Sequence, residues 1–195
     1  RRKGMVERAK KLDKQNIAKI KILINSENVL VGIEPSSLLS FRDEYPSLVE
    51  EDIEQLNSNI YLFDEFFAKE IEQNNISAEQ FTEKEEKILL HGHCQQKALI
   101  GTEYMEKMLS LPKNYSVEVI PSGCCGMAGS YGYEKRHYEK SKQIADLHLT
   151  KAINKADKST IISAPGTSCR DQIKHFTQRK ALHPIEIMYN ALKTK

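Results

Sequence analysis

Every cysteine of this chain follows a short apolar run and opens a loop or a helical pattern. The residues in question are Cys94, Cys124, Cys125 and Cys169. Short apolar runs that alternate with helical patterns predict a mainly parallel sheet flanked by helices, an α/β fold. Because open sheets of this kind build their sites at the carboxyl ends of strands, we expect the four thiols to meet at one sheet edge.

The alternation begins near Glu85. The sequence predicts strands over 88–91, 117–120 and 160–164, and helices over 95–109, 134–153, 170–177 and 184–192. Upstream, apolar spacing predicts a helix over 4–24 and a strand over 29–33, followed by helical spacing between Leu48 and Ile76.

A faint internal repeat suggests how the chain is divided. Segment 21–37 parallels segment 151–167, since both show a helix end, a polar link, an apolar strand, a proline and small hydroxyl residues. We therefore expect an incomplete first copy over 1–47, a helical linker or cover over 48–84, and a second copy with the cysteine site over 85–195. The first copy would have lost its opening strands by truncation of the chain.

Adjacent cysteines can reach a common centre only from a tight turn, because neighbouring side chains on a strand point to opposite faces. Gly123 and Gly126 flank Cys124 and Cys125 and favour such a turn. Four thiolates form a complete ligand set for a metal or a cluster. The alternatives are reduced structural cysteines and two disulfides. The balance of 29 Lys+Arg against 27 Asp+Glu is typical of a cytoplasmic protein, where disulfides are rare.

Two histidines precede the first cysteine. His91 and His93 lie two residues apart, so on a strand they share a face beside Cys94. Each is a candidate additional metal ligand or proton donor, and the alternative is a hydrogen-bonded loop residue.

Charge and hydropathy argue against a strong nucleic-acid surface and against a transmembrane segment. The net charge of +2 disfavours a nucleic-acid surface. No apolar stretch approaches the roughly 20 residues that span a bilayer, so no transmembrane segment is expected.

With these motifs in place, the sequence resembles the cysteine-rich CCG-domain family, which includes the B subunit of heterodisulfide reductase and the iron–sulfur subunit of glycolate oxidase. The segments 32–37, 91–97 and 164–170 are most similar to the C-terminal part of fused FAD-linked oxidases. The resemblance implies a [4Fe–4S] cluster on Cys94, Cys124, Cys125 and Cys169.

The same resemblance implies a role and partners. The region would carry electrons from a flavin dehydrogenase domain, in the same or a partner chain, that oxidises a 2-hydroxy acid of the lactate, glycolate or 2-hydroxyglutarate type. FAD would sit on a missing upstream domain, so this fragment would be inactive alone. The location would be cytoplasmic, with membrane association through a partner, and the electron acceptor stays open.

The sequence departs from the family pattern at two positions. Gly166 occupies the first position of a Cys-x-x-Cys motif, and Ser37 stands where close relatives often have cysteine. Zinc therefore remains an alternative to a cluster, since both select thiolates. Thiol/disulfide chemistry of the heterodisulfide-reductase type and a Cys94–His93 nucleophile pair also remain open.

Overall fold

The computed structural model describes residues 4–49 and 53–193. Its amino-terminal unit contains a two-stranded parallel sheet, in which Leu30 lies opposite Ile60. The elements of this unit are α1 (Val6–Lys21), β1 (Leu30–Gly32), α2 (Pro35–Leu38), α3 (Glu44–Leu48), α4 (Glu54–Asn57), β2 (Ile60–Leu62) and α5 (Phe63–Glu72). Its core forms around Ile17, Leu39 and Ile60, which are fully buried.

The carboxy-terminal unit is a four-stranded sheet in the order β4-β3-β5-β6, with every pair parallel. Its elements are β3 (Glu86–Leu90), α6 (Cys94–Leu99), α7 (Glu103–Leu109), β4 (Tyr115–Val119), α8 (Tyr138–Leu147), α9 (Leu149–Lys155), β5 (Ile161–Ser163), α10 (Thr167–Thr177), β6 (Ala181–Leu182) and α11 (Pro184–Ala191). Parallel strands joined through helices confirm the predicted α/β fold with helices flanking a mainly parallel sheet.

The sheet is covered on both faces. On one face, Leu89 and Ile162 pack with Leu149, Ile153 and residues of α10. On the other, Ile88 and Leu90 pack with residues of α7 and α11, together with Phe67 of α5. Helix α5 of the first unit therefore contributes to the core of the second.

Three predicted helices differ from the structure. The helical segment predicted over 48–76 contains strand β2, because Ile60–Leu62 supplies a β-branched, aromatic and apolar triplet that pairs with β1. The helix predicted over 95–109 is broken at Gly101, whose φ of 82° is incompatible with a right-handed helix. The helix predicted over 134–153 breaks at His148, which separates α8 from α9.

The tandem repeat and the divisions 1–47, 48–84 and 85–195 stay predictions. Residues 1–3, 50–52 and 194–195, which those divisions include, lie outside the described residues. Across the described ranges, no helix combines the length and the apolar character needed to cross a membrane.

Candidate metal centre

The four thiols lie at the carboxyl ends of three adjacent strands. Cys94 is the first residue of α6, after β3; Cys124 and Cys125 lie in the loop after β4; and Cys169 lies in the first turn of α10, after β5. Strand β3 stands between β4 and β5, so the segments that follow these strands meet. The topology thus brings together all four predicted positions.

The sulfurs contact one another in a continuous row. The Sγ atoms of Cys125 and Cys169 are 3.4 Å apart. The sulfur of Cys124 accepts hydrogen bonds from the thiols of Cys125 and Cys94. All four cysteines are free thiols, so the two-disulfide alternative is not what the structure shows. Cys125 and Cys169 are buried, whereas Cys94 and Cys124 are half-buried, so the row runs from the interior to the surface.

Hydrogen bonds among the four thiols raise the pKa of two of them and lower the pKa of the other two. Hydrogen bonding with Cys125 lowers the pKa of Cys124 and of Cys169 below the usual thiol range. The hydrogen bonds that Cys94 and Cys125 donate to Cys124 raise the pKa of both donors. Neighbouring thiols of the row therefore differ in acidity, with the pKa values of Cys124 and Cys169 lowered and those of Cys94 and Cys125 raised.

A tight turn with positive backbone φ angles orients the adjacent cysteines. Gly126 has a φ of 95°, and a Cβ at this position would lie 2.2 Å from the backbone oxygen of Ser141. The Gly126 N–H donates to Cys124 Sγ at 3.3 Å, and the backbone N–H of Ala128 also stabilises the Cys124 thiolate. Left-handed residues at Ala128 and Gly129 follow. Successive N–H groups pointing into one concavity are typical of anion and iron–sulfur sites.

His91 reaches the buried end of the row. Its Nδ1 lies 2.7 Å from Ser122 Oγ, which fixes the ring, while its Nε2 is buried without a hydrogen-bond partner. One ligand atom of His91 and the sulfurs of Cys125 and Cys169 all lie within 4.8 Å of one another. A buried nitrogen without a partner beside two sulfurs fits a metal ligand or a hydrogen-bond donor to a cluster.

His93 fills the space left by Gly166. A Cβ at Gly166 would lie 2.6 Å from Cδ2 of His93 and 3.2 Å from Cys169 Sγ. The His93 ring is buried, and its Nδ1 has no hydrogen-bond partner. An imidazole therefore lies against the position at which the sequence resemblance predicted an additional cysteine.

The side chain of Lys97 connects α6, which begins at Cys94, to the loop that precedes Cys124. Lys97 Nζ donates to the backbone oxygens of Ser122 and Gly123, the latter at 2.8 Å. Burial lowers the pKa of Lys97, while all four thiols favour its charged form. These residues therefore fit a metal ion or cluster that is bound by several thiolates. The positive charge of Lys97 would offset the negative charge of such a site.

Comparison with known proteins reveals similarity to parts of two oxidoreductases. The chain is 28% identical over 192 residues to D-2-hydroxyglutarate dehydrogenase of Escherichia coli K12, and 31% identical over 160 residues to that of Pantoea ananatis. It is 26% identical over 191 residues to a component of anaerobic glycerol-3-phosphate dehydrogenase of Escherichia coli K12. These alignments cover 98%, 82% and 97% of the chain, respectively.

The relatives are much longer than the chain. It spans 18% and 15% of the two D-2-hydroxyglutarate dehydrogenases and 47% of the glycerol-3-phosphate dehydrogenase component. No protein-family model and no solved structure match the sequence.

The amino-terminal unit supplies a site contact that sequence reasoning missed. Glu34 Oε2 accepts hydrogen bonds from the backbone N–H of Thr167 at 3.0 Å and from its hydroxyl at 2.8 Å. Thr167 begins α10, whose N-cap residue Gly166 has no side chain. Glu34 therefore caps the helix that carries Cys169. No local signal reveals this pair, because 133 residues separate its members.

A second contact joins the units nearby. His183 Nδ1 accepts from the Ile185 N–H, so the proton resides on Nε2 and is donated to the backbone oxygen of Ile33 at 2.9 Å. Burial lowers the pKa of His183, consistent with a neutral ring. The end of β1 is thus attached to the beginnings of both α10 and α11.

Proposed function

We propose that this chain holds an iron–sulfur cluster and transfers electrons in an FAD-linked oxidoreductase that acts on a 2-hydroxy acid. The observation that carries the proposal is the row of four thiols at adjacent strand ends. Similarity to parts of D-2-hydroxyglutarate dehydrogenases and of an anaerobic glycerol-3-phosphate dehydrogenase supports the redox role.

Cys94, Cys124, Cys125 and Cys169 would hold the cluster, since four cysteines are the ordinary ligand set of [4Fe–4S] clusters. When bound, such a cluster accepts and releases single electrons. The Gly126 and Ala128 N–H groups and the Lys97 ammonium supply positive potential at the sulfurs. Hydrogen bonds and charge of this kind set the reduction potential of a cluster.

The burial of the row suggests how a donor approaches. Cys125 and Cys169 are 3% and 1% exposed, so the inner end is shielded from water. Cys94 and Cys124 are half-buried and lie on the accessible side. A flavin domain, of the same or a partner chain, would dock there with its FAD. We propose a cytoplasmic location, with any membrane association provided by the partner.

Anaerobic purification followed by iron and acid-labile sulfide analysis tests the cluster. We expect about four irons and four sulfides per chain, the content of a [4Fe–4S] cluster, and an electron paramagnetic resonance signal after dithionite reduction. Cys125→Ser should lose most of both. Ser116→Ala, an exposed change on β4 at a distance from the thiols, is the control and should keep them.

A structural zinc site is the second candidate, because the imidazole of His91 and the thiols of Cys125 and Cys169 lie within zinc-binding reach of one another. One zinc per chain, with no iron or sulfide after anaerobic purification, would establish this candidate and refute the electron relay.

A further inference from the structure

An aromatic pocket opens on the outer side of the helix that carries Cys169. Its ring-bearing walls are Tyr133, in the loop after the cysteine pair, Tyr138 in the first turn of α8, and His175 on α10. The pocket has a volume of 300 Å³, which lies near the lower end of the range of about 300–1,000 Å³ for small-molecule sites. Tyr133 and Tyr138 remain 60% and 39% exposed, so both rings are available to a ligand.

The inner wall of the pocket belongs to the metal centre. Met127 is 3% exposed and packs in the same core cluster as Cys125 and Cys169. Gln172 donates its side-chain amide to the backbone oxygen of Cys125 at 2.9 Å. Met127 and Gln172 both line the pocket. A molecule in the pocket would therefore contact one side chain that hydrogen-bonds to the backbone of Cys125 and another that belongs to the core cluster of Cys125 and Cys169.

The polar groups of the pocket are arranged in two pairs. Tyr133 donates its hydroxyl to Asp171 at 2.5 Å, which holds that ring in place. The Tyr138 hydroxyl lies 3.1 Å from His175 Nε2. When the imidazole N–H donates to Tyr138, the phenolic proton is free for a carbonyl oxygen of a ligand.

A larger cavity at the other end of the sheet lacks this combination. It has a volume of 720 Å³ and lies at the amino ends of the strands, near Glu86, Tyr115 and Ile161. The thiols lie at the opposite ends of the same strands. A ligand in the aromatic pocket, by contrast, would have flat ring surfaces to stack on and would lie against Met127 and Gln172, which pack beside or hydrogen-bond to Cys125.

We propose that this pocket binds a small planar aromatic electron acceptor that carries a ring carbonyl, the chemistry shared by quinones and isoalloxazines. Aromatic walls favour stacking of a flat ring, and the Tyr138 hydroxyl favours its carbonyl. The source of the electrons rests on the proposed function. A 2-hydroxy acid loses two electrons and two protons to become a 2-oxo acid, and the acceptor takes up two electrons and two protons.

Binding can be measured without iron, by NMR of the chain labelled with ¹³C at the methionine methyl groups. Duroquinone is the first probe, because its ring has no free position for thiol addition, and lumiflavin is the second. We expect a saturable shift of the Met127 methyl resonance, with a dissociation constant of about 1 mM or lower for ligands of this size. The buried methyl groups of Met105, Met108 and Met188 are internal controls.

Variants decide whether the pocket is responsible. Tyr138→Leu should weaken binding at least about tenfold, and Tyr138→Phe by a smaller factor. Tyr104→Leu, a change at a tyrosine of similar exposure on α7, should bind normally. A shift with duroquinone alone assigns the pocket to quinones, and a shift with lumiflavin alone assigns it to isoalloxazines. No saturable Met127 shift with either probe, or equal weakening in the two leucine variants, overturns the proposal. The NMR measurement requires no cluster. If the purified chain contains no iron, the electron relay is refuted, but ligand binding to the pocket can still be measured.

Discussion

Removing the charge of Glu34 should loosen the helix that carries Cys169. Its carboxylate accepts both the N–H and the hydroxyl of Thr167, at 3.0 Å and 2.8 Å, where the helix has no side-chain cap of its own. Glu34→Gln preserves the size of the side chain and one acceptor oxygen. The variant therefore isolates the charge at the helix amino terminus.

The magnitude follows from two known contributions. A side-chain cap is worth about 0.5–2 kcal/mol, and a negative charge at a helix amino terminus about 0.3–1 kcal/mol. The half-buried glutamine retains part of the first contribution. We therefore expect Glu34→Gln to lower the free energy of unfolding at pH 7 by about 1–2 kcal/mol.

The loss should depend on pH. Burial raises the pKa of Glu34, but the hydrogen bonds from Thr167 and Ser36 outweigh it, and the net result is a pKa below the usual range. A depressed pKa in the folded state stabilises the protein above the unfolded-state value and loses that contribution as the pH falls through the folded-state value. The difference between the native chain and Glu34→Gln should therefore shrink below about pH 4.

Urea unfolding at pH 7 and at pH 3.5, followed by circular dichroism, checks this expectation. Glu27→Gln, which removes an exposed carboxylate from the same unit, is the control and should change stability by less than about 0.5 kcal/mol. An equal loss at both pH values, or no loss at pH 7, would refute the charged cap.

Three further variants have definite outcomes. Gly126→Ala should lower the free energy of unfolding, measured in urea, by about 3 kcal/mol or more, because the new methyl group would lie 2.2 Å from a backbone oxygen. At Gly123 a new methyl group meets open space, so Gly123→Ala should lower it by less than about 1 kcal/mol. Burial raises the pKa of Asp64 to about 6, so stability falls as the pH rises from about 4 to 6. Asp64→Asn should therefore stabilise the protein by about 1–2 kcal/mol at pH 8 and not at pH 4, as measured by denaturation at each pH. Lys97→Met should weaken Co²⁺ binding about tenfold, because the Lys97 ammonium interacts with all four thiols. Lys107→Met is the control, since Lys107 pairs with Glu72. The absorption of the thiolate–Co²⁺ complex measures both.

The positions of the thiols could be predicted from sequence because they depend on where strands end. Apolar runs before Cys94, Cys124 and Cys169 mark strand ends, and a parallel sheet aligns such ends at one edge. Strand β2 could not be separated from its neighbours in the same way. Apolar residues from Leu56 to Phe67 keep helical spacing through Ile60–Leu62, so the three-residue strand is recognisable only from its pairing with β1.

The supporting contacts of the site are long-range and leave no local pattern. The sequence resemblance predicts a cysteine where this chain has Gly166, but only the packed structure shows that the His93 ring lies against that position. The Lys97 contact to Ser122 and Gly123 similarly joins a helix to the loop after another strand. Such contacts depend on how the elements pack against one another, and a single sequence does not specify this.

The contacts between the units argue that the cysteine site belongs to both of them. Helix α10 carries Cys169, yet its amino terminus is capped by Glu34, and the N-cap residue of α11, His183, holds the backbone of Ile33. Both attachments come from the end of β1, which belongs to the first unit. A shift of β1 would therefore move the helix ends that fix Cys169 without touching any of the four thiols. The segment 85–195 alone contains every proposed cysteine ligand, but the position of one of them depends on a residue outside it.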